Sequence, residues 1–158
     1  MLSREQAQSL IQKVLKIADA EQVEAIVVSS NTNSTRFSGN VITQNVGLAN
    51  DSLRLRVING QRQGVASVNQ FDDDSIRRCV QSALAVARVA APDPQLQPML
   101  EGEQRYQPVN AWHESTAKFT PAQRADAIGK ILRDYDKRGL EGAGIFDTDE
   151  GALAYGNN

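Results

Sequence analysis

The sequence predicts an α+β fold: a mainly antiparallel sheet of about five or six strands, with two or three helices packed largely on one face. Three observations support this. Residues 35–69 read as successive strands meeting in a tight hairpin, with apolar residues alternating along them. Segments near the start, middle and end of the chain instead repeat apolar residues at helical spacing. Gly, Asn, Asp and Pro punctuate the boundaries between these patterns. The alternative is a more mixed sheet in which Val23–Ser30 is central and covered on both faces.

In chain order, Ser3 and Gln6 fit a capping box, and Ala7, Leu10, Ile11, Val14, Leu15 and Ala18 mark one face of a helix over 4–20. Val23–Ser30 (VEAIVVSS) is short, apolar and β-branched, as in a strand buried on both faces. Asn31–Ser34 has the composition of a polar turn. In the hairpin, Asn59-Gly60 is the predicted pivot, because a type I′ turn needs positive φ at both central positions. Val57 then faces Arg62, Leu55 faces Gly64 and Leu53 faces Ala66, with Val68 continuing that side. Arg54, Arg56, Gln61, Gln63 and Ser67 collect on the other side, with Ile58 and Val65 as exceptions.

Asp72 caps a second helix whose stripe is Ile76, Cys79, Val80, Ala83, Ala87 and Ala90. The small alanines imply a close approach to the sheet or to another helix. All five prolines lie between Pro92 and Pro121, so 92–119 reads as a long surface connection. Thr120, Pro121 and Gln123 start a third helix. Its buried side is Ala125, Ile128, Leu132 and Tyr135, and Gly139 ends it. Ala143–Thr148 and Ala152–Tyr155 are expected to pair as two strands around Asp149-Glu150-Gly151.

The 158 residues suit one domain, whose folding would bury about 70% of the surface exposed when unfolded. A net charge of −2 leaves no electrostatic footprint for nucleic acid or an anionic membrane. The single cysteine, Cys79, excludes an internal disulfide and a Cys-rich zinc site. The start of the chain lacks the apolar core of a signal peptide, and no apolar run approaches transmembrane length. A cytoplasmic protein is the default expectation.

Thr35-Arg36-Phe37-Ser38-Gly39-Asn40, Ile42-Thr43-Gln44, Leu55-Arg56-Val57 and Gly64-Val65-Ala66-Ser67 occur here in order and at a characteristic spacing. Together they resemble the amino-terminal domain of the TldD/PmbA family, regarded as zinc metallopeptidases and also called modulators of DNA gyrase. The likeness continues into the Asp72–Ala90 helix and covers most of the chain. In the family, sequence like this leads into a larger second domain, so the chain is expected to be part of a longer protein.

Candidate chemistry is sparse. His113-Glu114 begins a zincin-like pattern, but Lys118 stands where the second histidine of the family's His-Glu-x-x-x-His would be, and there is no other histidine. His113 therefore reads as a surface residue beside Trp112. Cys79, on an apolar helical stripe with no neighbouring base, reads as an inert thiol. Asp147, Asp149 and Glu150 lack calcium-loop spacing and read as an acidic turn. Gly142-Ala143-Gly144 follows a helix rather than opening one, so it is not a dinucleotide site. No catalytic, metal or cofactor residue is assigned. Arg54 and Arg56, on the polar sheet face, read either as solvated edge protection or as a contact for a peptide or subunit. Arg36 and Phe37 are candidates for the same contact, with Phe37 an aromatic anchor beside a paired cation.

The resemblance implies a non-catalytic domain of a peptidase that cleaves unfolded peptides. The domain would shape substrate access or subunit contact. Zinc is expected in the carboxy-terminal domain if the parent is of the TldD type. The expected partners are that domain, a homologous subunit in a homo- or heterodimer, and a peptide substrate, with no direct nucleic acid and no membrane. The alternatives are a catalytically inactive PmbA-like partner subunit and a free-standing interaction module of gyrase-modulator type.

Overall fold

The computed structural model describes residues 1–102 and 104–158. Elements run α1 (Arg4–Ile17), β1 (Gln22–Ser38), β2 (Val41–Asn59), β3 (Arg62–Val68), α2 (Asp73–Val89), α3 (Glu114–Ala117), α4 (Pro121–Lys137) and β4 (Ala143–Asn157). The four strands form one antiparallel sheet in the order β3-β2-β1-β4. The α+β class holds, with four strands rather than five or six because two expected breaks are absent. Asn31–Ser34 lies inside β1, and Asp149-Glu150-Gly151 lies inside β4. Asn, Ser and Asp favour turns only where the ladder offers their backbone no better partner.

Contacts divide the chain into two compact units. The first comprises 1–29, 50–107 and 152–158, and the second 30–49 and 108–151.

In the first unit α1 begins with a reciprocal box: Ser3 Oγ accepts the Gln6 amide at 3.2 Å, and the Ser3 amide donates to Gln6 Oε1 at 2.8 Å. The helix ends at Ile17, three residues before the expected stop, because Ala18 turns to extended backbone. Its buried stripe (Ala7, Leu10, Ile11, Val14) joins Val23, Ala25 and Val27 of β1 and Leu53, Leu55 and Val57 of β2. From α2 the core takes Ile76, Cys79, Val80, Ala83 and Ala87, whereas Ala90 is the C-cap. β1 alternates buried and half-buried residues from Val23 to Ser29, so its far face is not fully covered as a two-sided core strand would be.

The β2–β3 hairpin places Val57 opposite Gly64, Leu55 opposite Ala66 and Leu53 opposite Val68. The pivot is Gly60-Gln61 rather than Asn59-Gly60. Only Gly60 has positive φ (57°), as in a type II′ turn with glycine first. Asn59 stays in the strand, and its Oδ1 accepts the Glu21 amide at 2.9 Å. Moving the pivot by one residue changes the pairing by two, so every side chain keeps its face. Ile58, an apolar exception on the far face, is buried beside Leu96 and Pro98. There the Pro-rich segment crosses the sheet. The Asp93 amide donates to Gln61 O (2.7 Å), the Met99 amide to Gln22 Oε1 (3.0 Å), and Asn157 Nδ2 to Leu100 O (2.7 Å). Met99 is buried, so this part of the connection is packed rather than merely superficial.

In the second unit α4 starts with the expected Thr120–Gln123 box and Pro121. Gly139 (φ 65°) follows its last turn, and the Leu140 amide returns to Tyr135 O at 2.9 Å. Ile128 and Leu132 are buried, Ala125 and Tyr135 half-buried, and Phe119 meets Phe146 with ring centroids 5.6 Å apart. The largest fully buried side chain is Arg124, 1% exposed. Its guanidinium donates to Thr35 Oγ1 (3.0 Å), Phe119 O (3.0 Å), Thr148 Oγ1 (3.3 Å) and Asn45 Oδ1 (3.2 Å). All four acceptors are neutral, so hydrogen bonds rather than a counter-ion compensate its lost hydration. Gly39 and Asn40, both at positive φ (59° and 58°), turn β1 into β2 with the two-residue type I′ pattern. Asn40 Nδ2 donates to Asp136 Oδ1 (2.7 Å) and Leu140 O (2.8 Å), while its Oδ1 accepts the Gly142 amide (2.9 Å).

Three predictions follow from this packing. A Cβ on Gly64 would stand 1.9 Å from Ala83 O and 2.6 Å from Ala87 N, both helix backbone. Gly64→Ala should therefore cost about 2–3 kcal/mol in urea denaturation, by forcing α2 off β3. Arg124→Met should cost about 3 kcal/mol by stranding buried acceptors, and Arg124→Lys should recover less than half, since one ammonium cannot reproduce the fork. Hydrogen bonds from the side chain and then the amide of Ser75 hold the Asp72 carboxyl below its usual range. With the folded pKa below the unfolded one, its stabilisation is complete above the unfolded value and is lost as pH falls through the folded value. Asp72→Asn should flatten that acid-side loss in denaturation curves measured at neutral and acid pH.

Candidate functional site

The four predicted contact residues fall in different units. In the first, Arg54 and Arg56 lie on the sheet face opposite α1 and α2, because Leu53, Leu55 and Val57 take the core positions between them. Arg56 forks onto Glu24, with Nε–Oε1 at 3.1 Å and Nη2–Oε2 at 2.9 Å, and both side chains are largely shielded. Tyr155 adjoins this pair. Partial burial raises its pKa first, and the Glu24 charge adds to the shift. Arg54 is exposed and forms no ion pair among the described residues. The face therefore offers one committed cation, Arg56, and one uncommitted, Arg54.

A groove of about 520 Å³ lies between α1 and the β1–β4 part of the sheet in the same unit. Arg4, Ala7, Gln8 and Ile11 form its helical wall, and Ala152–Tyr155 with Tyr106 form the opposite side. β4 is a terminal strand of the sheet, so among the described residues its outward N–H and C=O groups have no strand partner. Ser29 closes the floor; its hydroxyl donates to Asp51 and accepts the Leu2 amide at 3.0 Å. Hydroxyl and carboxylate thus have structural work with no histidine in the arrangement. The sequence pointed to arginines on the sheet face and missed this groove, whose one signal was the uncharged run Ala152–Tyr155.

In the second unit Arg36 is exposed without an ion pair among the described residues, so the paired cation expected beside Phe37 is absent. Phe37 is half-buried, and its ring lies where a Cβ on Gly144 would reach 2.8 Å. Glycine at 144 makes that seat. Both residues lie near the end of β1 rather than at the start of a second strand. His113 is the N-cap residue of α3 without a side-chain capping bond, and it shares a small cavity with Trp112, Asp149 and Glu150. Among the described residues no three His, Cys, Asp or Glu side chains are placed to hold a metal ion. Cys79 is buried, which pushes its thiol pKa up and away from the reactive thiolate. Among the described helices none is long and apolar enough to cross a membrane.

The family model described as PmbA/TldA metallopeptidase domain 1 matches residues 23–87. No curated protein matches. Among solved structures, TldE from Thermococcus kodakarensis superposes with a TM-score of 0.72 at 19% identity, over 94% of this chain and 34% of that one. A protein described as a candidate modulator of a DNA gyrase from Thermotoga maritima gives 0.71 at 13% identity, over 95% and 38%. A similarly described protein from Bacteroides thetaiotaomicron gives 0.68 at 13% identity, over 99% and 46%. The chain thus spans less than half the length of each, and these likenesses establish the fold. Residues 23–87 thus match the first domain of the PmbA/TldA metallopeptidase family, and the chain shares its architecture with these structures.

Proposed function

We propose that this chain is a non-catalytic, peptide-holding domain of a TldD/PmbA-like metallopeptidase. The observation that carries the reading is the groove beside α1 that is lined by β4, the terminal strand of the sheet among the described residues. An unfolded peptide is extended, and its backbone can add to Ala152–Tyr155 as a further strand, taking affinity from main-chain hydrogen bonds. Alternate side chains then point towards α1 and Tyr106. This recognition is indifferent to most side chains, as a domain feeding varied peptides to a peptidase requires. Arg4 at the helix start favours a carboxylate on the bound segment. Zinc and bond cleavage belong, in this reading, to the rest of the parent protein.

A second reading is favoured by Arg54. Uncommitted and exposed, it lies on a face shared with half-buried Ile26 and Val28, which suits contact with a homologous subunit or with the parent's carboxy-terminal domain. That contact would also serve an inactive PmbA-like partner or a gyrase-modulator module.

The test is fluorescence anisotropy with a labelled, unstructured decapeptide. Binding should be measurable, and Gln8→Trp, which fills the groove from an exposed helical position, should weaken it by about tenfold or more, or 1.4 kcal/mol. No fragments should appear by mass spectrometry, with or without added zinc. Binding unaffected by Gln8→Trp, or no binding at all, would remove the peptide reading; cleavage by the 158-residue chain would remove the non-catalytic one.

A further inference from the structure

We infer that Asn59-Gly60 is a deamidation site, held back in the folded chain by Glu21, and that its modification frees the hairpin tip from the start of β1. The inference does not rest on the peptide-holding reading.

Of the asparagines in the chain, only Asn59 is followed by glycine. The side-chain amide carbon of an asparagine lies within reach of the next residue's backbone nitrogen. Attack by the Gly60 nitrogen on Asn59 Cγ forms a C–N bond and breaks the bond from Cγ to Nδ2. The Gly60 amide proton goes to the departing nitrogen, which leaves as ammonia. Water then opens the cyclic imide at one of its two carbonyls, leaving aspartate or isoaspartate at position 59. The net change is hydrolysis of one amide, with water the only co-reactant. A Cβ on the following residue obstructs this attack, and glycine has none. Asn40 and Asn45, by contrast, precede β-branched valines.

One residue holds both reacting groups. The Gly60 amide, the nucleophile once deprotonated, donates to Glu21 Oε2 at 2.8 Å. A carboxylate acceptor strengthens that bond and opposes loss of the proton. Asn59 Oδ1, on the carbon under attack, accepts the Glu21 amide at 2.9 Å. Asn59 is also the last residue of β2 and pairs with Arg62, which keeps its backbone extended. Closing the imide ring turns the Gly60 nitrogen towards the Asn59 side chain, and the ladder and both Glu21 bonds resist that turn. Glu21 and Gly60 are exposed, so water reaches the site. Hydrogen bonds restrain it, not burial.

The product disturbs the same contacts. A carboxylate at 59 faces the carboxylate of Glu21, and isoaspartate lengthens the backbone by one atom beside the Arg62 pairing. Gln61 O, in the same turn, accepts the Asp93 amide at 2.7 Å. Gly60 also shares a small hollow with Leu96 and Pro98. Modification at the tip therefore loosens the Pro-rich segment where it joins the sheet.

The experiment incubates the 158-residue chain at mildly alkaline pH and follows position 59 by peptide-mapping mass spectrometry. Asn59 should react slowly in the folded chain and much faster in guanidinium. Glu21→Ala should raise the folded-state rate about tenfold, the scale of one charge-assisted hydrogen bond. Glu21→Gln, which keeps an acceptor without its charge, should raise it less. Arg124→Met destabilises the other unit and should leave the rate unchanged, which separates release of the Glu21 bonds from general unfolding. In the modified chain the Asp93 amide should exchange hydrogen faster. Equal rates in the folded and unfolded chain, or no response to Glu21→Ala, would overturn the inference. So would slower reaction of Glu21→Ala, which would make the carboxylate a promoting base, or equal acceleration by Arg124→Met. Unchanged exchange at Asp93 would overturn the release of the tip.

Discussion

The alternation of one strand is the constraint on which the rest depends. β1 has neighbours on both sides in the sheet, so its backbone groups have ladder partners along both edges and its register cannot drift. Its odd-numbered positions face the helices. Val23, Ala25 and Val27 meet the helical stripes in the first unit, and Thr35 receives Arg124 in the second. A slip of one residue would present Glu24, Ile26 and Val28 to the apolar core and remove the hydroxyl from the guanidinium. Hydrophobic burial in one unit and polar satisfaction in the other are thus tied to the same register.

The two interiors answer different physical demands. The first is apolar and tightly fitted: glycine at 64 and alanines at 83 and 87 let α2 lie on β3 at backbone distance. The second is organised around a guanidinium that cannot be neutralised and so must be hydrogen-bonded. Its four acceptors come from β1, β2, β4 and the loop before α4. A neutral acceptor shell of this kind contributes directionality more than net energy. Asn40 does the same at the turn, where one amide side chain joins the β1–β2 turn to the α4–β4 connection.

The helices α1, α2 and α4 were legible because their signals are local, whereas the single turn of α3 lay inside the stretch read as a connection. Ser3 with Gln6, Thr120 with Gln123, and Asp72 each cap through bonds spanning three residues, and all three occur. The hairpin faces were legible from alternation, but the pivot was not, since Asn-Gly supports either turn and the Asn59–Glu21 contact that settles it is distant in sequence. Asn31–Ser34 and Asp149-Glu150-Gly151 misled because turn-forming residues are also good strand residues once each finds a polar partner, as Asn31 does with Glu150. Gly39-Asn40 was a turn signal of the right kind and marks the real reversal. Arg124 was hidden by its charge, which argues for the surface unless the oxygens folded around it are known. The groove beside β4 depends on strand order, which no local pattern encodes.

The sheet is closed by its last strand. Asn31 meets Glu150 across 119 residues, and the Asn158 side chain accepts the Val23 amide across 135. Contacts of that separation form late, because loop closure must precede them. On a ribosome adding 5–20 residues per second, the edge of β1 would wait roughly 6–24 s for its partner to be synthesised. Through that interval the apolar run from Val23 to Val28 has one unpaired side, so the nascent chain passes through a stage at which a holdase, or its own incipient hairpin, must shelter the strand that the finished molecule keeps innermost.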